Sequence, residues 1–166
     1  LVIMGGAFNL TPYGLGNANA VAEFNIWYDP EAAKIVFNSG LPIVAAGLDT
    51  TTHPDYRMSV DMFNKIKAKK DRRSKLVVDL CSSLVEKFNG FSLHDPQAIA
   101  YVVDPTLFRT EKYKVDLEVH GELTRGMTVV ERRYYRRVKE EANTDIIVEV
   151  EADRFLKLIM DRVTGE

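Results

Sequence analysis

Cysteine is nearly absent from this sequence: Cys81 is the only one among 166 residues. An internal disulfide is therefore excluded, which fits a reducing compartment, and the cytoplasm is the expected location. Cys81 lies among Leu80, Leu84 and Val85 and reads as a buried structural thiol. Long apolar runs are also missing. None approaches the roughly 18–20 residues of a membrane-spanning helix, so no membrane partner is expected. No charged segment leads into an apolar one, so no secretory signal is read in these residues. Excess charge is lacking too. The net charge of −2 offers no global attraction to nucleic acid or an anionic membrane. The basic run at residues 65–75, K-I-K-A-K-K-D-R-R-S-K, reads as a solvated helix face and linker. No repeat, low-complexity stretch or linker divides the chain, which is about one domain's worth of residues. Finally, no methionine starts it. The opening L-V-I-M-G-G reads as a buried strand running straight into a glycine turn. Buried parallel strands normally have neighbours on both sides. Residues 1–166 are therefore expected to be the C-terminal part of a larger single domain.

What is present is a 46% hydrophobic fraction, enough for a real core, arranged in an alternating strand and helix order. Residues 1–4 read as a strand and residues 7–20 as a loop rich in Asn, Gly and Pro. Residues 23–28 read as a short extended piece. Asp29 is the N-cap of a helix with Pro30 at its first position and Glu31 in its first turn. That helix should end near Asn38, with Gly40 placed for a left-handed backbone. Residues 41–46 form the next strand, which makes the start of the chain a βαβ unit. Two helices are predicted over 59–69 and 73–89, the second with Leu76, Val77, Leu80, Leu84 and Phe88 on its inner stripe. Asp95-Pro96 should start another helix by the same capping logic, with Ala98, Ile99 and Val102 facing inward. The period then changes to two at Tyr113, Val115, Leu117 and Val119. Residues 127–130 are expected as its hairpin partner, 145–150 as a last strand, and a C-terminal helix carries Phe155, Leu156, Ile159, Met160 and Val163.

Two stretches carry polar groups where a pure core would not. Residues 17–25, N-A-N-A-V-A-E-F-N, hold Asn17, Glu23 and Asn25. Amides and a carboxylate suit a polyhydroxylated ligand, because each hydroxyl both donates and accepts. The alternative is that Glu23 caps a helix and the asparagines make turns. The second stretch is L-H-D-P at 93–96, with His94 as an acid–base group and Asp95 as either a helix cap or an oxygen ligand. Asp49 follows a strand end, where α/β sites often form, and reads as a supporting residue. His53 reads as loop and His120 as the solvent side of a strand.

The segments V-I-M-G-G-A-F, G-N-A-N-A-V-A-E-F-N-I-W, D-P-E-A-A-K-I-V-F, G-L-D-T-T and F-S-L-H-D-P-Q-A-I-A resemble the C-terminal half of the inosine-uridine preferring nucleoside hydrolases. L-E-V-H-G-E-L-T-R-G-M-T-V-V is also similar. The resemblance implies a Rossmann-like open α/β sheet with a β-hairpin and a C-terminal helix. It implies hydrolysis of the N-glycosidic bond of ribonucleosides through an oxocarbenium-like transition state, with a Ca²⁺ ion that also grips the ribose diol. Asn17, Glu23 and Asn25 match positions that bond ribose hydroxyls, and Met4 matches one lining the sugar pocket. Asp95 matches a ligand of Ca²⁺ and ribose, and His94 the candidate general acid for the leaving base. The histidine before Asp95 points to the inosine–uridine type, since purine-specific members tend to carry Trp there. Homodimers or homotetramers are the implied assemblies.

The sequence also departs from the family. The aspartate cluster D-x-D-x-x-x-D-D, which supplies the water-activating base and most metal carboxylates, is absent. A single carboxylate cannot satisfy Ca²⁺, which takes roughly six to eight oxygens. This chain is thus expected to need an N-terminal half as partner, or to be a non-catalytic nucleoside-binding remnant. Residues 9–16 make a longer loop than the family implies, and the helix before His94 has Phe88 and Phe91 but no Tyr, whereas some members place a Tyr near the leaving base.

Overall fold

The computed structural model describes residues 1–133 and 141–165. Its centre is a four-stranded sheet of order β1-β2-β8-β5, built from β1 (Val2–Met4), β2 (Ile43–Ala46), β5 (Phe108–Tyr113) and β8 (Thr144–Val150). β1, β2 and β8 run parallel, with Val2 opposite Val44 and Ile43 opposite Thr144, while β5 joins β8 antiparallel. β1 pairs only with β2 among the described residues and is the sheet's edge.

The two-residue period of the strands divides the core between both faces. Ile43, Ala45 and Ile146 point to one face, where they meet Phe8, Ile26, Phe37, Tyr113, Val115 and Leu117. Ala46 and Ile147 point to the other, against Phe63, Ile66, Val85 and Phe155. The first face is covered by α1 (Phe24–Tyr28), α2 (Pro30–Phe37) and the hairpin of β6 (Val115–Leu117) and β7 (Thr128–Val130). The second face is covered by α4 (Val60–Lys69), α5 (Arg72–Phe88), α6 (His94–Val103) and α7 (Ala152–Thr164). A short α3 (Leu48–Thr51) follows β2, and a small ribbon pairs β3 (Arg57–Met58) with β4 (Phe91–Ser92). Phe155 is fully buried in the second cluster. Phe155→Ala should lower stability by about 3–5 kcal/mol in urea unfolding, from lost burial plus the cavity left behind.

The βαβ start, the hairpin, the last strand and the C-terminal helix are where the sequence places them, and the helix predicted over 59–69 is capped by Ser59. Four details differ. Residues 23–28 are not extended: Glu23 caps α1, accepting from Asn25 N and Ile26 N. Residues 108–113 form β5, which the sequence reading passes over. The α6 helix starts two residues earlier than Asp95-Pro96 implies. Leu93 is the N-cap, and Asp95 and Pro96 lie in the first turn, where a proline removes no intrahelical bond. Its inner face is therefore Gln97 and Ala100, while Ile99 and Val102 are exposed.

The fourth difference is the face of α5. Leu76, Leu80, Leu84 and Phe88 are exposed, and Val77, Val78, Cys81 and Val85 pack on the core instead. Helical periodicity is satisfied by both ridges, so it cannot say which one is buried. Burial pushes the Cys81 thiol above its ordinary value, in keeping with an inert packing role.

Candidate active site

The site is assembled at the carboxyl ends of β1 and β2, the crevice where open α/β sheets bind ligands. After β1 the chain turns at Gly5 and Gly6, the latter with φ +96°, a left-handed conformation that suits glycine. Phe8 folds back over this turn, and a Cβ on Gly47 would lie 2.6 Å from its ring. The Gly6 N–H donates to Glu23 Oε2 at 3.1 Å. The same oxygen accepts from Ile26 N at 3.1 Å, and Oε1 accepts from Asn25 N at 2.9 Å.

Glu23 is only 2% exposed, so its charge is compensated by three backbone N–H groups. It joins the end of β1 to the start of α1. A carboxylate offers about four lone-pair sites, so this leaves Oε1 able to accept one more donor. Asn17 completes the cap: its Oδ1 accepts from Phe24 N at 2.8 Å. The amide of Asn17 remains at an exposed position. Asn25, also exposed, reaches back to Met4, with Nδ2 3.4 Å from Met4 O and 3.3 Å from its sulfur. Asn17, Glu23, Asn25 and Met4 therefore form one connected group at the end of β1.

The loop that carries Asn17 is held by Asp49, which follows β2. Asp49 is 1% exposed and accepts from Phe8 N (2.8 Å), Leu10 N (2.6 Å) and Thr11 N (3.2 Å). Asn19 closes the next turn by accepting from Val21 N and Ala22 N. Gly16 has no room for a side chain: a Cβ there would sit 2.5 Å from Ala22 N and 2.6 Å from Val21 N. Because backbone cannot move aside cheaply, Gly16→Ala should displace Asn17. The expected cost is about 1–3 kcal/mol of stability, checked by thermal unfolding.

His94 opens α6 beside this group. It is half-buried, and its Nδ1 lies 2.8 Å from Thr51 Oγ1. Burial pushes the imidazole below its ordinary 6.5, while the carboxylates of Asp95 and Glu23 act in the opposite direction. The ring is therefore mostly neutral at pH 7, and the influence of Glu23 places the two sequence stretches in one electrostatic neighbourhood. Asp95 is exposed, and among the described residues no hydrogen bond engages its carboxylate. As a single oxygen ligand it suits a hard cation, but no group of three or more His, Cys, Asp or Glu capable of holding a metal occurs among the described residues. These residues alone do not make a Ca²⁺ site.

On its far side His94 lines a cleft of about 310 Å³ with Arg57, Leu84, Phe88, Phe91 and Ser92. Two phenyl rings beside a proton-bearing group suit a flat heterocycle. Arg57 donates to Gly90 O at 3.1 Å and so ties β3 to the end of α5. The sequence reading missed Arg57, Thr51 and Gln97. No local pattern marks them, since their partners lie 33 to 47 residues away in the chain.

The arrangement defines a class: an α/β protein with a connected polar group at the ends of adjacent parallel strands, beside a histidine and an aromatic cleft. The model of the inosine-uridine preferring nucleoside hydrolase family matches residues 1–157, and the chain belongs to that family. It is 41% identical to the pyrimidine-specific ribonucleoside hydrolase RihA of Shigella flexneri over 170 residues, covering 98% of this chain and 52% of that protein. The solved purine-preferring ribonucleoside hydrolase from Gardnerella vaginalis is 31% identical with a TM-score of 0.79, over 98% of this chain and 51% of that one. An inosine-uridine preferring nucleoside hydrolase from Bacillus anthracis, at 20% identity and a TM-score of 0.77, shares the fold. The chain spans about half the length of these relatives. No helix among the described residues is long and apolar enough to cross a membrane.

Proposed function

We propose that the protein carrying this chain hydrolyses the N-glycosidic bond of ribonucleosides of the inosine–uridine type to free base and ribose. The observation that supports this best is the joining of Asn17, Glu23, Asn25 and Met4 at the end of β1, next to His94 and its aromatic cleft. In this reading the Asn17 amide, the remaining Glu23 acceptor site and Asn25 bond the ribose hydroxyls, with Met4 against the sugar. A site built in this way rejects analogues lacking a hydroxyl, because its own polar groups would be left unpaired. The base lies in the cleft between Phe88, Phe91 and His94. As the bond from C1′ to the base nitrogen breaks, its electron pair leaves with the base, which takes a proton from Nε2 of the protonated His94 ring and leaves that ring neutral. The water oxygen joins C1′ and the water's proton passes to the water-activating base, which balances the hydrolysis. Asp95 is the ligand this chain would contribute to Ca²⁺, whose chemistry when bound is to hold and polarise the diol and the water. The water-activating base and the other metal carboxylates are assigned to the part of the family fold beyond the half that this chain spans.

The alternative reading is a non-catalytic fragment or nucleoside-binding remnant. The intact protein should be given inosine and uridine with Ca²⁺, and ribose release measured. Release from both nucleosides but not from their 2′-deoxy analogues supports the hydrolase. Tight ribonucleoside binding with no release in Ca²⁺ supports the remnant.

A further inference from the structure

Two side chains of α3 brace the start of α6 by direct hydrogen bonds. Thr50 Oγ1 donates to Gln97 Oε1 at 2.8 Å, and Gln97 Nε2 donates back to Thr50 O at 3.3 Å. One residue on, Thr51 Oγ1 meets His94 Nδ1 at 2.8 Å. Thr50, Thr51 and Gln97 are at most 1% exposed, and α3 is itself anchored, with Leu48 N donating to Gly6 O.

The direction of the Thr51 bond follows from burial. No other hydrogen bond engages the Thr51 hydroxyl among the described residues, and no water can reach it. If it only accepted from an Nδ1–H, its own proton would be buried without an acceptor, which costs roughly 1–3 kcal/mol. Donation to Nδ1 avoids that cost. It also fixes the neutral ring in the tautomer whose proton is on Nε2.

We propose that Thr51 is a positioning residue for His94: its hydroxyl engages Nδ1, which holds the ring's orientation and leaves Nε2 as the proton-bearing nitrogen directed to the ligand. The inference rests on the hydrolase reading only for its functional consequence, that Nε2–H is directed at the departing base.

Two measurements on the intact protein test it. Nitrogen NMR should find His94 in the Nε2–H tautomer, and Thr51→Val should mix the two tautomers. Thr51→Val should lower kcat for inosine and uridine roughly tenfold or more with KM nearly unchanged, because a misdirected donor acts on the transition state alone. Thr51→Ser should restore both signals. The deficit should shrink for 4-nitrophenyl β-D-ribofuranoside, whose leaving group departs without a proton. An Nδ1–H tautomer in the unaltered protein, or an equal kcat loss on nucleosides and aryl riboside, overturns the proposal. Absence of turnover in the unaltered protein counts against the hydrolase reading instead, and the tautomer measurement still decides the role of Thr51.

Discussion

His94→Ala in the intact protein is expected to lower kcat for inosine and uridine about a hundredfold or more, with KM changed little. The ring stands where the aromatic cleft meets the group at the end of β1, and Nδ1 is already engaged by Thr51. In the proposed reaction, removing it would take away a donor to the leaving base and leave the proposed ribose contacts of Asn17, Glu23 and Asn25 in place. An interaction needed mainly in the transition state reads out in kcat, not in KM. The fold should tolerate the change, because His94 is only half-buried and Leu93, not His94, caps α6. Steady-state kinetics on both nucleosides make the check. Turnover that is unchanged for every nucleoside would end the acid role and leave the fold assignment standing.

Glu23→Ala should have the opposite profile. Its carboxylate, only 2% exposed, receives Gly6 N, Asn25 N and Ile26 N. Truncation leaves these three donors without their acceptor, two of them buried, a loss of about 3–5 kcal/mol. Urea unfolding should show this loss, and Glu23→Gln should recover only part of it, since an amide offers one acceptor oxygen and sets an NH₂ group against the remaining N–H groups. Ribose binding should fail in both variants, because α1 then no longer fixes Asn25 against Met4. Full stability in Glu23→Ala would contradict the capping geometry.

The parts of this structure that were legible in the sequence are those set by neighbours in the chain. Asp29-Pro30 reads correctly as a helix start because the Asp29 carboxylate accepts from Ala32 N, three residues on. The same dipeptide at Asp95-Pro96 misleads by two residues, because a proline fits any position of a first turn. The α1 helix was illegible for two reasons: five residues are too few to show a period, and one of its caps comes from Asn17, seven residues upstream. The candidate site residues are read from their resemblance to the family's motifs. Their connection through backbone atoms of Gly6 and Met4 depends on β1 lying beside β2, which the residues alone do not state. Thr51 was invisible for the same reason, as its bond to His94 spans 43 residues.

The capping of α1 by Glu23 and Asn17 has a consequence for how such a protein could acquire new substrates. Any change at those positions is filtered first by survival of the folded chain, so a library randomised there would consist mostly of dead clones. Leu84, Phe88 and Phe91 line the other end of the site and hold no backbone donor by their side chains. Leu84 and Phe88 are exposed as well, so the surrounding core does not dictate their size. Variation in base preference should therefore accumulate along that wall, while the sugar end stays fixed, and an evolution experiment aimed at a new nucleobase would gain most from diversifying it.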